Sequence, residues 1–442
     1  MNISDNPPEI IPNILIIGAY GLIGSGIARR LLADGYNVRG LGRNPDTAKR
    51  VLRDVPCISK DVSTLCDADD WTSLLGDVSV VVNCSGALQD GPQDDLEAVH
   101  HHAVAALASA CASADIALVQ ISAVGAGLDA STPFLSSKAR GDAAIRSSGV
   151  RYHIFRPGLV LAPHAYGGTA MLRMLAAFPL VQPIAMPKAR IQTVSLADLA
   201  RAVSAAIGER IPVGYEADLV ETDFHSLSDV VASMRRWLGF GSAKREFAVP
   251  APAVWIICKL ADAVSLLGWR SPLRTTAFKV LAEGVGGKPV DLTPFGLPPT
   301  STMSQTLAAM PARAEDRLFA RMALLTPVMV TGLCLFWLAS GLISLVRVNE
   351  AALVLETAGW SHALATGSVV FWAIVDIIIA AAFALRRFAA PACWAAIGVS
   401  IFYLLASTMF VPGLWLDPLG PLVKIIPVIL LALVTRAALE TR

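Results

Sequence analysis

Paired cysteines, a leader-like start and a surplus of positive charge are all missing from this 442-residue chain. The seven cysteines (57, 66, 84, 111, 258, 334 and 393) are scattered, odd in number and contain no Cys-x-x-Cys. That argues against a disulfide framework or a zinc site and fits a reducing compartment. The net charge is only +1 and no basic run stands out, so nucleic acid is not an expected partner. The opening "MNISDNPPEIIPN" has neither a basic start nor an apolar core. No secretory leader is therefore expected, and the first domain should be cytoplasmic. Charge of either sign is scarce as well, at 16% of residues against 54% hydrophobic.

That imbalance lies at one end. Residues 1–240 read as an ordinary globular domain in which apolar runs without polar alternation ("NILIIGA", "VSVVVNCSG", "IALVQISAVG") alternate with helical stretches. Such strands indicate a parallel sheet covered on both faces, an α/β doubly wound fold of Rossmann type. Residues 241–316 form a transition, with "APAVWIICKLADAVSLLGW" too broken by Lys259 and Asp262 to span a bilayer and too apolar for a water-facing helix. An interfacial helix is expected there. Residues 317–442 hold four apolar runs, 322–346, 363–385, 389–411 and 418–435, each near the ~20 residues that cross hydrocarbon. A four-helix transmembrane bundle is expected. Arg313, Arg317 and Arg321 precede the first run, Arg386 and Arg387 separate the second and third, and Arg436 and Arg442 follow the last. Counting positive charges then puts both termini on the cytoplasmic side of the inner membrane.

Between the first strand and helix, "IGAYGLIG" sets Gly18, Gly21 and Gly24 three residues apart, with Tyr20, Leu22 and Ile23 filling the turn. Glycine permits the tight turn and the close approach of backbone to a pyrophosphate, which the following helix N-terminus attracts. The second strand ends in Arg43 with no carboxylate before Asp46. A guanidinium suits a 2′-phosphate better than a ribose diol, so NADP(H) is expected ahead of NAD(H). Consecutive side chains on a helix point about 100° apart. His100, His101 and His102 are accordingly not expected to share a metal ion, and no metal is expected elsewhere. Asp376 lies well inside the second apolar run, where a carboxylate needs a partner, and Lys424 is the nearest cation by depth.

Gly18 to Gly24, Asp61-Val62, "NCSG" at 83–86, "ISAVGA", Lys138 and "RPG" at 156–158 together resemble the atypical short-chain dehydrogenase/reductase family. The similar branch holds NmrA-like proteins and the NADPH-binding accessory subunit of complex I, and "VSLADLARAV" resembles its late segment. "FWLASGLISL" and "WLDPLGPLVKIIPVILLAL" resemble a DoxX-like membrane domain. The resemblance implies that Asp61 and Val62 flank the adenine and that Ser85 and Gly86 pass beside the cofactor. It further implies that Lys138 holds the nicotinamide ribose, Pro157 lies near the nicotinamide, and Ser122 offers a hydroxyl to the substrate, making Lys138 and Ser122 the catalytic pair.

One family feature is absent: Phe134 stands where a tyrosine should precede Lys138 by four residues. A phenylalanine has no proton to give, and general acid assistance is typically worth about 10² to 10⁴ in rate. Tyr152, His164 and Tyr166 are the nearest substitutes in sequence. Two functions follow. One is a membrane-anchored NADP(H)-dependent oxidoreductase acting on a lipophilic, quinone- or isoprenoid-like substrate. The other is a silent NADPH-binding scaffold or redox sensor with a membrane-protein partner.

Overall fold

The computed structural model describes residues 11–91, 94–269, 271 and 273–440, so Arg442 lies outside the described residues. Two compact units divide the chain: Met1–Asp262 with Ser271–Arg317, and Ala263–Arg270 with Leu318–Arg442. The first takes in 271–317 beyond the globular stretch expected to end near 240.

The first unit is built on a seven-stranded sheet. Its strands are β1 (Asn13–Ile17), β2 (Asn37–Gly42), β3 (Cys57–Ser59), β4 (Val80–Asn83), β5 (Ala117–Ile121), β6 (Tyr152–Pro157) and β7 (Tyr215–Leu219). They run in the order β7-β6-β5-β4-β1-β2-β3, and every neighbouring pair is parallel. Alternation along β1 shows why the sheet is buried on both sides. Ile14 and Ile16 enter one core with Phe155, Leu199 and Val203, while Leu15 and Ile17 enter the other with Trp71, Leu107 and Ile154. The strand order reverses between β1 and β4, where connections leave in opposite directions and open a crevice at the carboxyl ends. Helices α1 (Leu22–Ala33), α2 (Ala103–Ser113) and α3 (Pro133–Ser147) start at that edge, and α2 is preceded by a π-helical turn, Ala98–His102. Helix α4 (Leu196–Ile207) packs on α1, and Gly26 allows it: a Cβ there would lie 2.4 Å from the Leu196 side chain. Two later helices, α5 (Ala251–Ser265) and α6 (Thr275–Glu283), follow.

The second unit is helical. Helices α7 (Ala314–Val346), α8 (His362–Ala384) and α9 (Arg386–Phe410) are long and apolar enough to cross a membrane. Helix α10 (Ile425–Leu439) has 15 residues and falls short of that length. The run expected from 418 to 435 thus begins as a helix only at Ile425. The reason is local: Asp417 closes a turn by accepting from the Gly420 amide, Gly420 has φ +56°, and Pro418 and Pro421 flank it. Trp337, Leu333, Phe383, Ile379, Cys393 and Ala396 form the interior. Helices approach closely where side chains are small; a Cβ on Gly341 would lie 2.6 Å from the Ala373 carbonyl oxygen.

Candidate nucleotide site and a buried polar cluster

The glycine turn sits at the reversal point of the sheet. Gly18 has φ +71°, a left-handed conformation, and its amide donates to the Leu41 carbonyl at 2.9 Å. A Cβ on Gly24 would lie 2.3 Å from the Gly18 oxygen, and one on Gly18 would lie 3.0 Å from the Cys84 oxygen. Only glycine lets this turn close against both strands. Gly21 caps α1 without a side-chain hydrogen bond, and the first turn carries no acid. The helix end therefore keeps its backbone donors and positive dipole for an anion, and a pyrophosphate fits there. Leu22 and Ile23 anchor the turn by packing into the core.

At the end of β2, Tyr20 lies over Gly42, whose Cβ would meet the ring at 2.4 Å, and the phenol oxygen accepts from the Asn44 amide at 2.8 Å. Arg43 pairs with Asp94 at 2.8 Å and reaches Asp61 at 3.9 Å. Asp61 also caps the short turn Val62–Thr64 by accepting from the Ser63 amide at 3.0 Å, and Val62 is buried. The predicted residues Tyr20, Arg43, Asp61 and Val62 thus come together beyond β2 and β3.

Beyond β4 and β5 lies the second group. Ser85 turns back onto Asn83, donating its amide (3.0 Å) and hydroxyl (2.6 Å) to Oδ1. Gly86 is exposed, and a Cβ on it would lie 3.6 Å from the Lys138 Nζ. Lys138 is buried and donates to the Ile121 carbonyl at 3.0 Å. An ammonium has three donors, so its position beside Gly86 suits a further oxygen partner. Burial lowers its pKa, while Asp142 and the Cys84 thiol oppose that shift. Burial also pushes the Cys84 thiol up to about 12, which keeps it from acting as a thiolate. Pro157 ends β6, buried beside β7.

Ser122 is the residue expected to offer a hydroxyl to the substrate. It is buried, and its hydroxyl donates to Asp142 Oδ2 at 2.7 Å. Asp142 lies 3.5 Å from the Arg156 guanidinium, which continues to Glu216. The hydroxyl proton is thereby directed to Asp142, while the oxygen keeps its acceptor sites. Of the substitutes for the missing phenol, Tyr152 opens β6 at its amino end, on the order of 15 Å from the carboxyl edge. His164 lies 3.5 Å from Arg29 on α1, and Tyr166 is exposed ahead of a helix at Gly167–Ala176.

Sequence reasoning missed His100. Of the three consecutive histidines, whose side chains point in different directions, His100 is the one that faces inward from the π-helical turn and is buried. Its Nε2 accepts from the Ala87 amide at 3.1 Å, so Nδ1 carries the proton toward Ser137 Oγ at 2.9 Å. Phe134 meets the imidazole edge-on at 5.7 Å between centroids. Burial, assisted by Lys138, lowers its pKa well below the usual histidine range. Glu97, at the start of this turn, lies with its carboxylate and the ring nitrogens of His101 and His102 within 4.8 Å of one another. Glu97 is already paired with Arg140 and with His101.

In the second unit, Asp376 is buried and accepts from Ser340 Oγ (2.7 Å) and from the Tyr403 phenol (2.8 Å). The expected pairing with Lys424 is not observed. Lys424 is exposed just ahead of the first residue of α10, at the end of the Pro- and Gly-rich turn, and hydroxyls from α7 and α9 take its place.

Comparison with known proteins agrees with both halves. Residues 18–209 match the family model described as NAD(P)H-binding, and residues 334–433 match the DoxX-like family. The chain joins an NAD(P)H-binding domain to a DoxX-like domain. No curated protein matches it. Among solved structures, gox2253 is 17% identical, covering 70% of this chain and 98% of its own, with a TM-score of 0.52. The UDP-glucuronic acid 4-epimerase from Bacillus cereus, solved with UDP-glucuronic acid and NAD, is 18% identical over 70% of this chain and 99% of its own, with a TM-score of 0.49. The likeness to gox2253 establishes the fold of the NAD(P)H-binding domain.

Proposed function

We propose that the protein is a membrane-anchored NADP(H)-dependent oxidoreductase acting on a lipophilic, quinone- or isoprenoid-like substrate. The observation that carries this reading is the buried Lys138 ammonium beside Gly86, at the same sheet edge as the glycine turn. Gly18 to Gly24 would hold the pyrophosphate, Lys138 the nicotinamide ribose, and Arg43 the 2′-phosphate, displacing its carboxylate partners. Asp61 and Val62 would border the adenine; Ser85, Gly86 and Pro157 would line the path of the cofactor. A bound nicotinamide dinucleotide supplies a hydride. Phe134 cannot protonate a carbonyl oxygen, and Ser122 is held by Asp142, which favours acceptors whose reduced form takes its proton from water. A quinone is such an acceptor: with one hydride and one solvent proton it becomes the hydroquinone. The head and both termini would lie on the cytoplasmic side of the inner membrane, as the arginine placement favours. Tethering at a bilayer raises the effective concentration of any lipid-dissolved substrate.

The second reading, a scaffold that holds NADPH without turning it over, is favoured by the Phe134–His100 packing in place of a phenol. Full-length protein in proteoliposomes, supplied with NADPH and a panel of quinones, separates the two. The first reading requires NADPH oxidation that depends on the acceptor; retained nucleotide with no oxidation across the panel supports the second.

A further inference from the structure

Helix α5 has reversed polarity. Trp255 and Leu260 are 62% and 60% exposed, and Ile256, Ile257 and Val264 are exposed beside them. Cys258 and Ser265 are buried instead, and Asp262 is turned inward. A helix facing water presents the opposite pattern.

The inward face is fastened to the first unit. Asp262 Oδ1 accepts from Gln89 Nε2 at 3.3 Å, from Arg274 Nε at 3.4 Å and from the Thr275 amide at 3.4 Å. Arg274 also donates to the Asp90 carbonyl at 3.0 Å. At the other end of α6, Glu283 accepts from Ser131. Gln89 and Asp90 belong to the loop that leaves β4 through Ser85 and Gly86, and Ser131 to the loop that leaves β5 through Ser122. These loops rim the edge where Lys138 lies.

Past Asp262 the chain enters the second unit. There the Arg386 amide donates to the Leu267 carbonyl at 3.0 Å, and Trp269 Nε1 donates to the Ala384 carbonyl at 2.8 Å. Ala384 and Arg386 form the turn between α8 and α9, two helices of span length. The segment after α5 is thus fixed where those helices end, and Leu266 stands 76% exposed there.

We infer that α5 and α6 form a lid on the substrate side of the nucleotide site, with the outer face of α5 seated in the phospholipid boundary. Trp255, Ile256, Leu260 and Leu266 enter the lipid, and Asp262 with Arg274 ties the helix to the rim loops. Lys259, with Nζ 6.0 Å from the Trp255 ring, reaches toward the headgroups. This inference rests on the proposed action on a lipid-dissolved substrate and gives that substrate its point of entry.

Its test does not depend on turnover. Full-length protein and the Trp255→Phe variant are placed in phosphatidylcholine–phosphatidylglycerol vesicles, and their difference in emission isolates Trp255. Lipids brominated on the acyl chain are expected to quench that emission, and aqueous iodide to leave it unchanged; quenching by iodide alone overturns the lid's seat in lipid. Asp262→Ala, which removes the acceptor shared by Gln89, Arg274 and Thr275, is expected to raise amide hydrogen exchange at residues 86–91 about tenfold or more, with β1 unchanged, because local opening governs exchange. Unchanged exchange at the rim overturns the fastening. A Trp255 quenched by lipid in a protein that never oxidises NADPH would count against the proposed activity and not against the lid, whereas iodide quenching alongside turnover would do the reverse.

Discussion

Asp142 in the first unit and Asp376 in the second are both buried carboxylates that accept hydroxyl hydrogen bonds, and they are handled differently. Asp142 takes one bond from Ser122 and lies 3.5 Å from Arg156, whose guanidinium leads on to the partly exposed Glu216. Burial raises the Asp142 pKa, and the Ser122 bond and Arg156 oppose that rise. Asp376 takes two bonds, from Ser340 and Tyr403, and has no ion-pair partner among the described residues. A domain in water can bring a counter-ion in from its surface. A helix bundle in hydrocarbon gains by joining its helices through neutral hydroxyls, because an added cation must also be desolvated. The same side chain is a node of an ion network that shapes the β5 and β6 ends in one unit, and a staple across α7, α8 and α9 in the other.

Substitutions can break this division of chemistry from assembly. The largest expected effect is Phe134→Tyr, which restores a phenol four residues before Lys138. Reduction of a ketone substrate with NADPH should rise by about 10² to 10⁴, with the thermal midpoint of the second unit unchanged. No gain would mean that the Lys138 edge is not arranged for hydride transfer to a carbonyl. Next is Asp376→Ala, which strands two partly buried hydroxyls and should cost about 2 kcal/mol of stability in detergent while leaving nucleotide affinity intact. Asp376→Asn keeps an acceptor and should cost less; equal losses would contradict the staple. Arg43→Ala should weaken NADPH about tenfold, ~1.4 kcal/mol, and NADH little, as read by titration calorimetry.

The smallest effect concerns pH. His100 is kept neutral by burial and by Lys138, with Ser137 and the Ala87 amide as its hydrogen-bonding neighbours. In the unfolded chain it binds a proton near pH 6.5. The unfolded state then holds more protons, so this stability is complete above about pH 6.5 and is lost as pH falls, by at most ~1.4 kcal/mol per pH unit. The unfolding midpoint of the wild type should drop between pH 7.5 and 5.5 more than that of His100→Asn. Parallel slopes would remove His100 from the account.

Much of the fold was legible because its cause is local. Runs such as "NILII" and "VVVN" lack polar alternation, which is what burial on both faces of a parallel sheet requires, and Gly18, Gly21 and Gly24 mark a turn that needs glycine to close. What stayed hidden arises from departures between distant segments. His100 is the inward-facing member of three consecutive histidines at 100–102, and the sequence does not say which of the three that is. Ser122 appears free in sequence, yet Asp142, 20 residues later, takes its hydroxyl. Depth along an apolar run pointed from Asp376 to Lys424, but the turn around Gly420 delays α10 and puts that lysine at the surface. The outward apolar face of α5 followed from composition; its fastening through Asp262 to Gln89, 173 residues earlier, did not.

The most direct test is a titration of the purified full-length protein in lipid nanodiscs with NADPH and with NADH. Saturable binding of both, at least about tenfold tighter for NADPH, is the predicted result. If neither nucleotide binds saturably, the glycine turn and Lys138 do not form a dinucleotide site, and the reading of the first unit is wrong.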